Sequence, residues 1–202
     1  MEIRPLPLGR ALRVEPDANG NWPCVALVGA GGKTTALFQL ARELSRRAGG
    51  ARVTNTTHLG MDQAMLSDRS FQICSAADMA AGLAELCHNE IGLFTGPALP
   101  ETQRLSGLEG PLLQQLWSAA QARHLPLLVE ADGAQRKPLK APAVYEPAIP
   151  DCANLVVVCM GLSGLGQPLD ESLVHRAQLF AELADLHPEH EITPQALVRL
   201  LL

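Results

Sequence analysis

The residues best suited to chemistry form a glycine-rich segment that follows an apolar stretch at residues 24–28. The segment comprises Gly29, Ala30, Gly31, Gly32, Lys33, Thr34 and Thr35. Glycines adopt backbone angles that other residues avoid, so their N–H groups can approach an anion, and a following helix adds partial positive charge at its N-terminus. In such a loop Lys33 would contact the β- and γ-phosphates, and Thr34 would ligate Mg²⁺. The segment therefore predicts a phosphate-binding loop for ATP or GTP.

The loop is shorter than the common phosphate-binding motif. The pattern G-x-x-x-x-G-K-[ST] requires a glycine where this chain has Leu27. The segment Gly29-x-x-Gly32-Lys33-Thr34-Thr35 is closer to the compact phosphate loops of Mur-type ligases. The alternative interpretation is a glycine-rich turn between a strand and a helix, in which the lysine is incidental.

Two acidic residues, Glu130 and Asp132, follow a second apolar stretch at residues 126–129. Enzymes with a phosphate loop hold Mg²⁺ through a carboxylate at the end of a buried strand. Because strand side chains alternate, we expect both acids to project to the same side. We predict that Asp132 ligates Mg²⁺ together with Thr34, and that Glu130 helps to position the attacking water. A solvated strand end is the alternative.

Further polar residues follow other strand ends. One group, at the end of a short strand, contains Thr56, Thr57 and His58. A proline-rich loop after Asp132 carries three cations, Arg136, Lys137 and Lys140. In an open parallel sheet the carboxyl ends of strands face the ligand crevice, so we expect His58 in a catalytic role and the three cations in substrate binding. A surface histidine and a solvated basic loop are the alternatives.

The elements that must position these residues alternate between strands and helices. Apolar strands are predicted at residues 24–28, 71–74, 91–94, 126–129 and 155–159, and helices at 34–48, 76–88 and 111–123. This order predicts a three-layer α/β fold of the P-loop NTPase type, with a mostly parallel sheet, in a single domain over residues 1–202. Residues 95–110 are rich in proline and glycine and predict a long functional loop. The apolar last helix, residues 195–202, should pack on the domain, contact a second copy of the chain or be poorly ordered.

Composition limits the classes of function. The formal net charge is −5 and no run of basic residues occurs, which argues against nucleic-acid binding. No apolar run approaches the roughly 18 residues of a membrane span, and no secretory leader is visible, so we expect a cytoplasmic protein that does not enter a membrane. The five cysteines have no C-x-x-C spacing, which disfavours a disulfide framework or a zinc site.

With these motifs in hand, the chain resembles the YqeC family over almost its whole length. The resemblance rests on residues 28–35, 53–58, 130–133, 138–143, 146–150 and 161–169, with His175 and Arg176. Asn55 stands where the family tends to have threonine. The family continues beyond the last residue of this chain into a strand with an Asn-Lys-x-Asp-like motif that would read a nucleotide base. We therefore expect that a C-terminal portion seen in the family is absent here.

Members of the family are described as accessory proteins of selenium-dependent molybdenum hydroxylases and as selenium-cofactor biosynthesis proteins. The resemblance implies Mg²⁺-dependent binding and hydrolysis of ATP or GTP during maturation of such a hydroxylase, which would be a partner. Two alternatives stay open. One is a small-molecule kinase or Mur-like ligase that acts by phosphoryl transfer, and the other is a nucleotide-gated binding module without activity.

Overall fold

The computed structural model describes residues 6–187 and 190–201 and has the predicted α/β architecture. Its main feature is a six-stranded parallel sheet with flanking helices, as expected of a three-layer α/β fold. Two smaller sheets, of two and three strands, accompany it. The predicted fold class is therefore confirmed.

The elements are numbered in chain order. The strands are β1 (Cys24–Gly29), β2 (Ala51–Asn55), β3 (His58–Gly60), β4 (Arg69–Gln72), β5 (Ile91–Thr95), β6 (Ala98–Leu99), β7 (Arg104–Ser106), β8 (Leu127–Glu130), β9 (Leu139–Lys140), β10 (Leu155–Cys159) and β11 (Val174–His175). The helices are α1 (Leu8–Ala11), α2 (Lys33–Ala48), α3 (Ala76–Glu85), α4 (Gly110–Ala122), α5 (Ala177–Ala184) and α6 (Pro194–Leu201). Short 3₁₀ turns occupy Met61–Leu66, Pro100–Thr102 and Leu162–Gly164.

The strand order of the main sheet is β10-β1-β8-β2-β5-β4. The pairs β1 with β8, β8 with β2, β2 with β5, and β5 with β4 are all parallel. All residues of β2, β5 and β8 are buried. Accordingly β5 and β8 read as nearly continuous apolar runs, whereas β2 carries the buried polar residues Arg52, Thr54 and Asn55. The carboxyl ends of β2 and β8 are adjacent, because Asn55 pairs in register with Glu130.

The described chain groups into two compact units, where the sequence predicts a single domain. The first unit comprises residues 6–27, 34–131 and 150–157, and the second comprises residues 28–33, 132–149 and 158–201, apart from 188–189. Each unit is described separately below.

Helices of the first unit form where the sequence pattern predicts them. In α2 the apolar residues Leu37, Leu40 and Leu44 are fully buried on one face, as an amphipathic helix requires. The helix α3 begins after Ser75, whose hydroxyl caps it by accepting a hydrogen bond from the Asp78 backbone N–H at 3.2 Å.

The sequence predicts a long loop at residues 95–110, but the structure has two short strands within this segment. They are β6 and β7, which pair antiparallel with each other, and β7 also pairs antiparallel with β3. These strands have only two or three residues each. They are too short to show the alternation that identifies a strand, and they form because β3 supplies a pairing partner.

The second unit has its own apolar core, built around the two-stranded parallel sheet of β9 and β11. The core side chains include Leu139, Val174 and Phe180, all with no exposed surface. The helix α6 packs on this core through Leu197, whereas Val198 and Leu201 are each 56% exposed. The apolar terminal helix therefore buries one face within its own unit.

Candidate active site

The glycine-rich loop that is predicted to bind phosphate, of which residues 29–33 lie in the second unit, depends on glycine for its shape. Gly29, Gly31 and Gly32 have φ angles of +88°, +56° and +86°, values that other residues rarely adopt. A Cβ on Gly29 would collide with the Cys159 carbonyl oxygen, and one on Gly31 would lie 2.6 Å from the Pro138 carbonyl oxygen. Around Gly32 no atom lies within 4 Å of a Cβ position. The loop is thus closely packed at its start and open at Gly32, where it enters α2.

Lys33, the predicted phosphate-binding cation, lies inside this loop. Its side chain is 6% exposed, and its ammonium donates a hydrogen bond to the Gly29 carbonyl oxygen at 2.7 Å. The backbone N–H of Ala30 donates to the Cys159 carbonyl oxygen at 2.8 Å, which anchors the loop to the end of β10. The ammonium group is therefore held next to the backbone that would surround an anion.

In the first unit, Thr34 pairs with Glu130 at the end of β8. The Thr34 hydroxyl donates a hydrogen bond to a Glu130 carboxylate oxygen at 2.8 Å. Glu130 is 8% exposed, whereas the neighbouring Thr35 is exposed. Hydroxyl and carboxylate oxygens are ligands that suit a hard cation such as Mg²⁺. The arrangement joins the first helical turn of α2 to an acidic strand end.

Asp132 makes different contacts from those of Glu130. In the second unit its carboxylate accepts a hydrogen bond from the Gly29 backbone N–H at 3.2 Å and forms a buried ion pair with Lys140. The strand β8 ends at Glu130, so strand alternation does not extend to Asp132. The predicted roles of the two acids therefore stay predictions. The carboxylate beside the Thr34 hydroxyl is that of Glu130.

Lys140 also links Asp132 to a second ion pair. Its ammonium lies 2.9 Å from a Glu146 carboxylate oxygen, and Glu146 binds Arg176 through two hydrogen bonds of 2.6 and 3.0 Å. Burial tends to raise the pKa of Glu146, but hydrogen bonds from Arg176 and Lys140 outweigh it and lower the pKa to about 2. The hydrogen bond with Glu146 also raises the pKa of Arg176. The result is a chain of four alternating charges, here called the charge chain.

The predicted substrate-binding cations lie in three different environments. Lys140 is buried in the charge chain, and only 1% of its side chain is exposed. Lys137 is half-buried and forms an ion pair with Glu171 at 3.1 Å. Arg136 is exposed, in a left-handed backbone conformation with φ of +63°. A phosphate or anionic substrate could therefore contact Arg136 without displacing an ion pair described here. Contact with Lys137 or Lys140 would require it to compete with the carboxylates that these lysines already bind.

His58 begins β3 in the first unit, opposite Ser106 of β7, and its side chain is exposed. Its predicted catalytic role stays a prediction. The three residues before it are more informative, because each carries a buried side-chain oxygen without a hydrogen-bond partner. The sequence analysis did not identify Asn55 as a site residue. The feature of the sequence that could have identified Asn55 is a polar amide side chain at the end of a buried strand.

The second unit also contains a cavity of about 190 Å³ beside Gly29, Asp132 and Lys140. Leu200 and Leu201 of α6 form part of its wall. This volume is below the roughly 300–1,000 Å³ of typical ligand pockets, so the cavity is too small for a whole nucleotide.

Comparison with known proteins agrees with the resemblance seen in the motifs. A family model described as YqeC protein matches residues 25–178. The chain belongs to the YqeC family. The match covers the phosphate loop, β8 and the whole charge chain. An uncharacterised protein YqeC of Escherichia coli strain K12 is 28% identical over 194 residues, which cover 95% of this chain and 72% of that protein. No solved structure matches.

Residues 6–187 and 190–201 contain neither a cluster of metal-ligating side chains nor a helix that could span a membrane. In that part of the chain, no three His, Cys, Asp or Glu side chains are grouped so that they could hold a metal ion together. No helix within the same residues combines the length and apolar character needed to cross a membrane.

Proposed function

We propose that this protein of the YqeC family binds ATP or GTP through the loop at residues 29–35 and acts on the terminal phosphate. The observation that carries the proposal is the position of Lys33. Its buried ammonium lies against the backbone of a turn with three positive-φ glycines, at the start of a 16-residue helix. An incidental lysine on a surface turn would extend into solvent. Backbone N–H groups, an ammonium and a helix N-terminus together favour a polyphosphate.

A magnesium ion fits the donor set in the first unit. Thr34 and Glu130 already share a hydrogen bond, so two oxygen ligands are available at one place. Mg²⁺ is commonly held by one or two carboxylates together with substrate phosphates, and when bound it would neutralise charge that develops on the phosphates. We assign the metal to Thr34 and Glu130, because the Asp132 carboxylate is engaged by Lys140 and Gly29.

Lys33→Ala tests the proposal directly. Charge-assisted hydrogen bonds contribute about 1.5–3 kcal/mol each, so loss of the ammonium should weaken nucleotide affinity roughly 10- to 100-fold. Affinity for ATP, GTP and CTP with Mg²⁺ would be measured by calorimetry, with thermal unfolding as a check on the fold. Arg42→Ala is the matched control, since Arg42 is an exposed cation on the same helix. Equal affinities for wild type and Lys33→Ala would remove the proposal.

The products separate the forms that this function can take. Release of inorganic phosphate indicates hydrolysis, a phosphorylated small molecule indicates a kinase or ligase, and binding without turnover indicates a nucleotide-gated binding module. A role in maturation of a selenium-dependent molybdenum hydroxylase rests on the family resemblance alone. No contact in the site bears on that role.

A further inference from the structure

Three consecutive residues at the end of β2 carry buried oxygens that nothing in the structure satisfies. They are Asn55 Oδ1, Thr56 Oγ1 and Thr57 Oγ1, and Asn55 itself is only 1% exposed. Among the described residues, the other buried side-chain nitrogen or oxygen without a hydrogen-bond partner is Arg52 Nε. A buried polar atom without a partner is unfavourable, so natural proteins rarely retain one unless water or a ligand pairs with it. Three in succession indicate a binding site.

The backbone of these residues is held in place, so a loosely placed loop does not explain the unpaired oxygens. The Thr56 N–H donates to the Glu130 carbonyl oxygen at 3.0 Å, and the Leu108 N–H donates to the Asn55 carbonyl oxygen at 2.7 Å. Gly107 packs directly on this segment, since a Cβ there would lie 2.6 Å from Thr56 Cα. The unpaired oxygens are therefore fixed before any ligand arrives, which is typical of a functional site.

The amide of Asn55 limits the chemistry of the ligand. Its Nδ2 donates to the Thr57 carbonyl oxygen at 3.1 Å, and this bond sets the amide orientation, because a flipped amide would bring two oxygens together. Oδ1 is then an acceptor only, and its partner must donate a hydrogen bond. A fully deprotonated phosphate offers acceptors alone. The hydroxyls of Thr56 and Thr57 can donate or accept, so an O–H group, which does both, matches the set.

The position of Asn55 connects the cluster to the proposed active site. Asn55 pairs in register with Glu130 on the adjacent strand, and side chains of paired residues project from the same face of a sheet. The Glu130 carboxylate also accepts the Thr34 hydroxyl. An O–H group bound by Asn55 would therefore lie on the same face as the Glu130 carboxylate, the proposed metal ligand.

We propose that Asn55, Thr56 and Thr57 bind the attacking hydroxyl in phosphoryl transfer, an inference that rests on the proposed function. The hydroxyl oxygen forms a bond to the terminal phosphorus, and the bond between that phosphorus and the bridging oxygen breaks. The nucleoside diphosphate leaves with the electron pair, and the hydroxyl proton passes to an oxygen of the transferred phosphoryl group. The hydroxyl belongs either to a small hydroxylated acceptor or to water.

The experiment uses the isosteric variants Thr56→Val and Thr57→Val in the full chain. Thr95→Val is the control, since Thr95 is a fully buried threonine whose hydroxyl donates to the Gly96 carbonyl oxygen at 3.0 Å. Nucleotide affinity is measured by calorimetry, and stability by urea unfolding. Turnover is followed with γ-labelled ATP and GTP, with and without glycerol, ribose and serine as hydroxylated probes.

We expect Thr56→Val and Thr57→Val to keep nucleotide affinity within twofold, to lose no stability and to reduce turnover at least tenfold. Thr95→Val should lose stability but keep its turnover per folded molecule. A labelled probe identifies a hydroxylated acceptor, whereas labelled phosphate alone identifies water, and either product supports the inference. Two results for the variants would overturn the inference. One is turnover equal to that of the wild type, and the other is a loss of nucleotide affinity as large as the loss of turnover.

Other outcomes also overturn the inference, and they separate it from the proposed function. If the two variants lose as much stability as Thr95→Val, their hydroxyls have internal partners. If the wild type binds nucleotide but neither releases nor transfers phosphate with any probe, the cluster holds no attacking group. If the wild type binds no nucleotide, the proposed function itself has failed, and the inference with it.

Discussion

Replacement of Glu146 by glutamine is the perturbation whose size the structure defines best. The Glu146 side chain is 17% exposed and receives hydrogen bonds from Arg176 at 2.6 and 3.0 Å, with the Lys140 ammonium 2.9 Å away. A carboxyl whose pKa falls from 4.5 to about 2 contributes about 3 kcal/mol to stability at neutral pH. Glutamine removes the charge and turns an NH₂ group toward a cation, so Glu146→Gln should lose a free energy of this order.

The pH dependence follows from the direction of the shift. Because the folded-state pKa is depressed, the contribution is complete above about pH 4.5 and disappears as the pH falls through about 2. The free energies of unfolding of wild type and variant, measured in urea, should differ most near pH 7 and converge toward pH 2. Glu171→Gln, a change at an exposed carboxylate of the same unit, should barely alter stability.

Two results would refute the reasoning about Glu146. One is a stability difference that stays constant from pH 7 to pH 2, since a titrating carboxyl cannot produce it. The other is a pKa near 4.5 for the Glu146 carboxyl, measured directly by carbon-detected NMR titration, because the hydrogen bonds from Arg176 and Lys140 would then not favour the ionised form.

Two further predictions concern the metal and a pair of thiols. Glu130→Gln should weaken Mg²⁺ stimulation of nucleotide binding at least tenfold while Asp132→Asn largely keeps it, and magnesium titrations showing the reverse order would assign the metal to Asp132. The sulfurs of Cys24 and Cys152 lie 3.6 Å apart, and their hydrogen bond lowers the pKa of Cys152 to about 7. Alkylation of Cys152, followed by mass spectrometry, should therefore be half-maximal near pH 7, and Cys24→Ala should move this midpoint toward the ordinary thiol value of about 8.5. An unmoved midpoint would contradict the role of the Cys24 thiol.

The fold class was predictable because the buried strands carry their own signal. An apolar run such as residues 127–129, which follows a proline and ends at the acidic residues Glu130 and Asp132, identifies a strand without knowledge of its neighbours. The strand order β10-β1-β8-β2-β5-β4 was not predictable in this way, since pairing depends on contacts between residues distant in the chain. The same reason explains β6 and β7, whose two or three residues become strands only through pairing between distant segments.

The candidate site was predictable in its residue types and less so in its contacts. Glycines, a lysine and a threonine at fixed spacing identified the loop, and the acidic strand end identified Glu130. Strand alternation gives no direction for the Asp132 side chain, because β8 ends at Glu130, and the predicted role of Asp132 in metal binding stays a prediction. The ion pair between Glu146 and Arg176 joins residues 30 positions apart, so no local sequence pattern predicts it.

The charge chain bears on which cations are available to a phosphate. Lys140 has 1% of its side chain exposed and lies between the carboxylates of Asp132 and Glu146, so its charge is already compensated. To bind a phosphate it would have to leave one of these partners, and a buried carboxylate without its partner is strongly unfavourable. Lys33 lies at the start of α2 with its ammonium on the Gly29 carbonyl oxygen, and Arg136 is exposed. We therefore infer that Lys140 holds the loop after β8 in place, and that the positive charge for a nucleotide comes from Lys33 and Arg136.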